Sequence, residues 1–505
     1  MRNKRKPKDY ETVERPRRDR SIVAEDDQDF RPNRRVVKHK PEPGVSTVKT
    51  VGPGAMLDVE PTRVTKFRSS TPAESWICKR GHTLSFAGLF VFTFLVYFRP
   101  YELFPSLSWL SKSAFIVALI TVVVFVPTQL GLENKITATP REVKLVFVLL
   151  ITGVLSIPFA VAPSRAFQSF TEYLKVIVVF VIMVNVVRTE KRLTKLIVLV
   201  LVASCVLSIG ALNDYRLGNL VLQGRRIAGV IGGLFSNPND LALHLVTMIP
   251  LSLAMMLGSR SLLKKGLYLA CSLLLMAGMV ATFSRGGFLG FVCVMGFLVW
   301  KLAPRNRMFF GALGLAAVLA TIAIAPSAYR SRLATTNDAS AVARTDDLKR
   351  SILVAARHPA FGVGMDNYII YSNVNKTTHN AYTQVAAEMG VVALLVYVAF
   401  LVTPFRQLKR IEQTALTIKR KPPVYYLAIG LQASLVAYMV VSFFASVAYL
   451  WYAYYLVAYC VCLRRVFADS LADKSHSQER TFLETLTAPN RSAIQSRSTI
   501  VLGGR

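Results

Sequence analysis

Histidine and cysteine are scarce in this chain of 505 residues. There are six of each, and neither residue type forms a cluster with the spacing of a metal site or of a disulfide framework. Cys460 and Cys462 lie two positions apart inside an apolar run, so on a helix their side chains point in different directions. The sequence therefore gives no support to a zinc-binding domain or to a small disulfide-stabilised scaffold.

Acidic residues are also few, with 29 against 61 basic residues and a formal net charge of +32. Such a balance is compatible with nucleic-acid binding. The basic residues, however, gather in the two terminal segments and in short loops between apolar runs. That placement is what orientation in a membrane requires, so no nucleic-acid partner is expected.

Long apolar runs are what the sequence has in abundance, for example FAGLFVFTFLVYF and LIVLVLVASCVLSIGAL. About 20 apolar residues span a bilayer as an α-helix, and a helix satisfies its own backbone polar groups in lipid. The predicted fold class is therefore an all-α, polytopic membrane helical bundle with about twelve transmembrane helices. The predicted spans are 84–98, 112–130, 144–161, 172–187, 194–212, 239–257, 265–283, 286–303, 308–326, 384–406, 424–446 and 448–464.

The segments outside the spans give the predicted domain organisation. Residues 1–80 are predicted to be a disordered basic cytoplasmic tail, because they cannot bury enough apolar surface to fold and no signal-peptide core follows the basic start. Residues 84–466 form the transmembrane domain, and 467–505 form a C-terminal cytoplasmic tail. With both termini inside, nearly every basic loop is cytoplasmic. The outer side then carries the loop 162–171 and a long loop at about 327–383.

Three arginines on the predicted outer side break this charge bias. Arg225 and Arg226 lie in LQGRRIAGVIGGLFSNPND, and Arg285 lies in the short turn ATFSRGGFLG. One interpretation is that their side chains reach lipid phosphates at the membrane surface. The other is a phosphate-binding site, because guanidinium groups are always charged and bind phosphate in a bidentate manner. Their presence in two separate loops on one face favours the second interpretation.

The stretch FSNPND precedes the sixth span. Asn239 or Asp240 is expected to cap that helix, since Pro238 is suited to a first helical turn. The amides and the helix N-terminus also suit an anionic or hydroxylated ligand. Asn237 and Asn239 are therefore candidate substrate-binding residues as well as candidate structural caps.

The long outer loop contains RTDDLKRSILVAARHPAFGVGMDNY. This pattern predicts an amphipathic helix that is capped by Thr345 or Asp346 and ended by Pro359. The residues expected to share its apolar face are Leu348, Ile352, Leu353 and Ala356. The helix either lies on the membrane surface or covers a cavity. The candidate substrate-binding residues of this stretch are Arg344, His358, Gly362 and Gly364.

His379 is the best placed histidine for chemistry. It lies where TTHNAYTQVAAEMGVVALL changes from polar loop to the predicted tenth span, and Asn380 after it is a residue of the capping type. Glu388 lies two to three turns into that span, where an ionisable group is costly unless it faces a polar interior. Asn380 and Glu388 are therefore further candidate substrate-binding residues. Histidine is the usual general base. A base beside arginines predicts transfer from a phosphate-linked donor to a hydroxyl, whereas His244 inside the sixth span is expected to be a packing residue.

Taken in order, RRIAGVIGGLFSNPNDLA, FSRGGFLG, RTDDLKRSILVAARHPAFGVGMDNY and HNAYTQVAAEMGVVALL resemble the bacterial O-antigen ligase and O-antigen polymerase superfamily, over roughly residues 220–405. The resemblance implies a polytopic inner-membrane glycosyltransferase with a large periplasmic loop, acting on glycans carried on undecaprenyl pyrophosphate without metal or nucleotide. It also implies that His379 is the general base and that Arg285 and Arg226 grip the donor pyrophosphate. Arg225 is an adjacent alternative to Arg226.

Several functions stay open from the sequence. Ligase-type transfer to a lipid A–core acceptor is favoured over repeat-unit or exopolysaccharide polymerisation, but the acceptor pocket cannot be read from one chain. A polysaccharide transporter is disfavoured, because acidic residues are nearly absent from span centres and no inverted repeat is evident. A structural membrane scaffold is the remaining alternative, and it predicts that His379 and the outer arginines are dispensable.

Overall fold

The computed structural model describes residues 81–219, 227, 235, 237–302, 307–324, 330, 339–372, 377–416 and 422–487. These residues are mostly helical and contain no β-strand, which confirms the predicted all-α fold class. The predicted N-terminal tail at 1–80 lies outside the described residues, and so do Arg225 and Arg226.

Fourteen helices of nine residues or more follow one another along the described chain. They are α1 (Thr83–Phe98), α2 (Ser113–Glu133), α3 (Arg141–Ser156), α4 (Pro163–Val186), α5 (Glu190–Leu217), α6 (Pro238–Gly258), α7 (Leu262–Ala281), α8 (Arg285–Leu302), α9 (Arg307–Ile324), α10 (Ala339–Arg357), α11 (Ala381–Met389), α12 (Val391–Leu416), α13 (Pro423–Val441) and α14 (Trp451–Thr487). Shorter helical turns lie at Pro100–Leu103, Pro105–Lys112, Ile157–Phe159, Tyr368–Tyr371 and Ser442–Phe444.

Within the described residues, ten helical segments are long and apolar enough to cross a membrane. The other two predicted spans coincide with α9 and α14, so the chain is a multi-pass membrane protein. The outer loop predicted at 162–171 is wrong, because Pro163 starts α4 directly and the helix runs without a break into the span. At the other end of the chain, α14 continues past residue 466 to Thr487.

Helices α6 and α13 form the centre of the bundle. In each of them 72% of the most apolar window is buried, against 17% for the window that includes α2. The two helices approach closely at Gly430, where a Cβ atom would lie 2.6 Å from Ala254 Cβ and 2.9 Å from the Pro250 carbonyl oxygen. Helix α8 packs against both. The starts of α6 and α8 and the end of α13 therefore meet at one end of the bundle, called the site end below.

The predicted tenth span at 384–406 is not one continuous helix. Helix α11 ends at Met389 and α12 begins at Val391, with Gly390 between them at a φ of 91°. The Val391 N–H donates to the Pro359 carbonyl at 2.8 Å, and a Cβ on Gly390 would lie 2.4 Å from the Ala360 carbonyl oxygen. The segment after α10 thus packs into the break, and the helix that is long and apolar enough to cross a membrane begins at Val391, after α11.

The predicted amphipathic helix corresponds to α10, with two differences. It begins at Ala339 rather than at Thr345 or Asp346, and it ends at Arg357, before Pro359. Of the residues predicted to share its apolar face, Ile352, Leu353 and Ala356 are exposed on the protein, and Leu348 lines the cavity described below. The residues that the helix buries instead are Asp347, Ser351, Val354 and Ala355. Helix α10 packs against α11. The hydroxyl of Tyr368, in the short helical turn Tyr368–Tyr371, donates to the Asp347 carbonyl at 3.1 Å.

Gly362 gives a prediction for stability. Its φ is 67° and a Cβ would lie 2.3 Å from the Glu388 carbonyl carbon, so Gly362→Ala combines a disfavoured backbone conformation with a clash against α11. The left-handed conformation alone costs roughly 1–2 kcal/mol. We expect the thermal unfolding midpoint of the purified protein to fall by several degrees. The matched control is Gly296→Ala, since a Cβ at Gly296 meets nothing within 4 Å, and an equal loss in both variants would contradict the prediction.

Candidate functional site

A cavity of about 340 Å³ opens at the site end of the bundle. This volume lies within the range of small-ligand sites, about 300–1,000 Å³. Its walls come from α6, α8, α10, the start of α11 and the turn between α13 and α14. The lining residues are Asn239, Phe283, Arg285, Gly286, Leu289, Arg344, Thr345, Leu348, Thr378, His379, Asn380, Phe443 and Phe444.

Three helices begin at the wall of this cavity. Asn239 is the second residue of α6, Arg285 is the first residue of α8, and Asn380 is the N-cap of α11. The first turn of a helix has backbone N–H groups without partners in the helix and carries a partial positive charge. Three such N-termini around one cavity favour a negatively charged ligand.

The FSNPND and FSRGG segments are joined by hydrogen bonds. Asn237, rather than Asn239 or Asp240, caps α6, because its side chain accepts from the Asn239 N–H at 2.9 Å. The Ser284 hydroxyl then donates to Asn239 Oδ1 at 3.1 Å and accepts from the Gly287 N–H at 3.2 Å. The start of α8, and Arg285 with it, is thereby fixed against the start of α6.

The two glycines after Arg285 permit this close packing. A Cβ on Gly287 would lie 2.8 Å from Ala242 Cβ, and a Cβ on Gly286 would lie 3.1 Å from Phe444 Cβ. Any larger residue at Gly287 would push α8 away from α6. The glycines therefore set how deeply the first turn of α8 sits at the cavity.

His379 has a left-handed backbone, with a φ of 52°, which is uncommon for a residue with a Cβ. Its N–H donates to Ser446 Oγ at 2.8 Å, and Thr378 Oγ1 lies 3.2 Å from the same oxygen. On its other side, Asn380 Oδ1 accepts from the N–H groups of Tyr382 and Thr383 at 2.8 and 3.0 Å. The backbone of His379 is therefore held between the turn before α14 and the cap of α11.

Ser446→Ala tests this support. The substitution removes the acceptor of the His379 N–H, and a hydrogen bond of this kind contributes about 1 kcal/mol. We expect kcat for the reaction at this cavity to fall roughly five- to tenfold. Ser259→Ala, which removes a hydroxyl at the opposite end of α6, is the control. Unchanged kcat in Ser446→Ala would show that Ser446 does not position His379.

The cavity combines cationic, basic and apolar groups. Arg285 and Arg344 line it together with His379, and no carboxylate is among the described lining residues. Phe283, Leu289, Leu348, Phe443 and Phe444 supply an apolar wall. Two guanidinium groups suit a phosphate or pyrophosphate, the apolar wall suits a lipid chain, and an imidazole can accept a proton from a hydroxyl.

Other predicted site residues lie outside the described lining of the cavity. His358 is exposed after α10, with its ring 6.0 Å from that of Tyr371. Gly364 packs on Ala160, where a Cβ would lie 2.4 Å from Ala160 Cβ. Glu388 is buried along α11. The structure therefore brings together Asn239, Arg285, Arg344, His379 and Asn380, but it does not bring Asn237, His358, Gly362, Gly364 or Glu388 to the cavity surface.

Some residues at the cavity were not predicted as site residues. Phe443 and Phe444 line it and Ser446 holds His379, yet all three lie in VVSFFASVAY, a turn in which no charge or spacing marks a site. Only the packing of α13 beside α6 and α8 brings this turn to His379. Thr345 and Thr378 also line the cavity. Each is next in sequence to a predicted site residue, and this neighbourhood is the feature from which they could have been predicted.

Comparison with known proteins identifies one region of the chain. Residues 270–398 match the family model described as O-antigen ligase. The match includes Arg285, Arg344 and His379 and ends inside α12, while Asn239 lies before it. No curated protein matches the chain.

Proposed function

We propose that the chain transfers a glycan from an undecaprenyl-pyrophosphate carrier to a hydroxyl of a lipid A–core or related acceptor. The match of residues 270–398 to the family model described as O-antigen ligase supports this proposal. The observation that carries the proposal is the convergence of His379, Arg285 and Arg344 on one cavity. A base next to two phosphate-binding groups is what this reaction requires.

The proposed reaction has one proton transfer and one exchange of bonds at the anomeric carbon. His379 accepts the proton of the acceptor hydroxyl while that oxygen bonds to the anomeric carbon. The bond from the anomeric carbon to the pyrophosphate oxygen breaks, and its electron pair stays on the pyrophosphate. Arg285 and Arg344, with the N-termini of α6, α8 and α11, stabilise the negative charge on the leaving group.

The proposed location is the bacterial inner membrane, with the cavity on the periplasmic side and both termini cytoplasmic. The loops GLENKITATPRE, RTEKRLTK and GSRSLLKK carry the basic residues that favour the cytoplasmic side, and they lie at the opposite helix ends from FSNPND and FSRGG. Residues 84–466 are the proposed transferase domain, and 1–80 and 467–505 are the proposed cytoplasmic tails.

Some residue roles remain predictions. Arg226 or Arg225 is proposed to add a further donor to the pyrophosphate. Asn237, His358, Gly362 and Gly364 are proposed to support substrate binding indirectly, through the elements that they hold in place. Asn239 and Asn380 are proposed to contact the donor, because both lie at the cavity wall.

A product assay tests the proposal. The purified full chain is placed in lipid vesicles with an undecaprenyl-pyrophosphate-linked glycan and a lipid A–core acceptor. The proposed ligase produces glycan bound covalently to the acceptor and free undecaprenyl pyrophosphate. Longer glycan that stays on its carrier would instead identify a repeat-unit polymerase, and movement of the lipid-linked glycan across the vesicle without covalent transfer would identify a transporter.

A further inference from the structure

Helix α11 carries a row of buried polar side chains, of which the proposed reaction uses only the first, Asn380, at the cavity wall. Asn380, Gln384 and Glu388 are spaced four residues apart, so they share one face of the helix with Cβ atoms about 5–6 Å apart. Their exposed fractions are 2%, 9% and 4%. The row starts at the cavity, where Asn380 adjoins His379, and it runs away from the cavity to Glu388.

Each of these side chains has a buried polar atom without a hydrogen-bond partner among the described residues: Asn380 Nδ2, Gln384 Oε1 and Glu388 Oε2. The orientation of the Asn380 amide is set by its cap, since Oδ1 accepts from Tyr382 and Thr383. Asn380 Nδ2 is therefore a hydrogen-bond donor without an acceptor among the described residues. Unpaired buried polar atoms are uncommon, and three on one face of a nine-residue helix require a common explanation.

Tyr449 adds a fourth such atom. Its hydroxyl is buried and has no partner with the distance and angles of a full hydrogen bond in the described part of the chain. The Glu388 carboxyl nevertheless interacts with this hydroxyl and with the Gln384 side chain, so the three groups are close neighbours. Polar groups that are neighbours without closing direct hydrogen bonds are the usual setting of ordered water, which makes two to four bonds to such groups.

We propose that Asn380, Gln384, Glu388 and Tyr449 enclose a column of ordered water, and that the Glu388 carboxyl, through this column, is a positioning group for His379. The column joins the far end of α11 to the Asn380 cap. Thr378 Oγ1 donates to the Asn380 carbonyl at 2.9 Å, so the cap and the left-handed turn at His379 move together. The inference rests on the proposed function for its kinetic part only.

Glu388 fills this position as a neutral acid. Helix α11 precedes the membrane span that begins at Val391, and burial raises the pKa of Glu388 to about 8. The charged and titratable groups that act on it from neighbouring elements are Asp366, in the segment after α10, and Tyr449. Asp366 in turn pairs with Arg165 at 2.8 Å. A protonated carboxyl can donate one hydrogen bond and accept another, which suits the end of a water column.

The raised pKa has a consequence for stability that does not depend on catalysis. The pKa of Glu388 is about 8 in the folded chain against an ordinary value of 4.5. Below the lower value both states are protonated and Glu388 has no effect. As the pH rises from there to about 8, the unfolded chain loses its proton and the folded chain keeps it, so the free energy of unfolding decreases. Above the pKa of the folded chain, Glu388 is ionised in both states, and the decrease in the free energy of unfolding is complete and constant.

The test compares Glu388→Gln with Glu388→Leu. Glutamine keeps a neutral polar group and never ionises, whereas leucine leaves Gln384 and Tyr449 without the carboxyl. We expect Glu388→Gln to keep kcat within about threefold of wild type at neutral pH. In the wild type, kcat should fall about tenfold per pH unit above the pKa of Glu388, because the carboxyl ionises there. Glu388→Gln should not show this fall, because glutamine does not ionise. Glu388→Leu should lower kcat about tenfold or more with little change in KM, because Glu388 does not touch substrate.

The same proteins give a readout that is independent of glycan transfer, the thermal unfolding midpoint from about pH 5 to about pH 9. Glu388→Gln should match wild type at the acidic end and exceed it increasingly toward the alkaline end. Glu172→Gln, an exposed glutamate that pairs with Lys175, is the control and should follow wild type throughout. If wild type transfers no glycan, the proposed function fails, and the unfolding curves still decide whether Glu388 is a buried neutral acid.

Two results would overturn the inference while the proposed function stands. One is a Glu388→Leu variant with the kcat and pH profile of wild type. The other is a Glu388→Gln variant whose activity still falls with pH as in wild type and whose unfolding midpoint does not diverge from it.

Discussion

His379→Ala is expected to lower the rate of glycan transfer by about 10²–10⁴-fold, the usual contribution of a general base. The side chain lines the cavity, and its backbone is held by Ser446 and by the cap of α11. Alanine removes the imidazole without disturbing either support, because the N–H to Ser446 remains. Donor binding, measured as KM for the lipid-linked glycan, should change little.

His358→Ala is the matched control for this variant. His358 belongs to the same segment between α9 and α12 but is exposed and lies outside the described lining of the cavity. It should insert in the membrane, purify and transfer glycan as wild type does. If His379→Ala kept full transfer, or if both variants lost it equally, His379 would not be the base.

The second large effect is expected at Arg285. Arg285→Ala should lower kcat/KM about 100-fold, in the range measured when one donor to a developing negative charge is removed. Arg285→Lys should recover only part of this loss, because an ammonium group retains the charge but not the planar pair of donors. The measurement is the rate of transfer against the concentration of the lipid-linked donor.

Arg260→Ala is the control for the arginine variants. Arg260 is exposed at the opposite end of α6 and should leave the kinetics unchanged. A lysine variant with wild-type kinetics would show that Arg285 acts only as a point charge. An alanine variant with wild-type kinetics would remove Arg285 from the donor site.

The sequence was sufficient for the architecture and for part of the site. Apolar runs set by the thickness of a bilayer predict the helices with little dependence on tertiary contacts. His379 and Arg285 were predicted to lie on the same side of the membrane, because every second loop of a multi-pass chain lies on the same side. Arg344 was predicted from its place in the long outer loop, and it too lines the cavity.

Features that depend on packing between distant segments were predicted less well. The break at Gly390 was missed because a single glycine in an apolar run is a weak signal, and its cause is the contact with Pro359 and Ala360. Gly362 was placed near substrate, yet its conformation serves the packing of its loop on α11. The contribution of Phe443, Phe444 and Ser446 depends on where α13 lies beside α6, which no local pattern encodes.

A structure of the full chain with a non-transferable undecaprenyl-pyrophosphate-linked glycan bound is the most direct test of a single reaction site. We expect pyrophosphate oxygens within hydrogen-bond distance of the Arg285 and Arg344 guanidinium groups, with the anomeric carbon turned toward His379. A pyrophosphate bound elsewhere on the bundle, with this cavity empty, would contradict it.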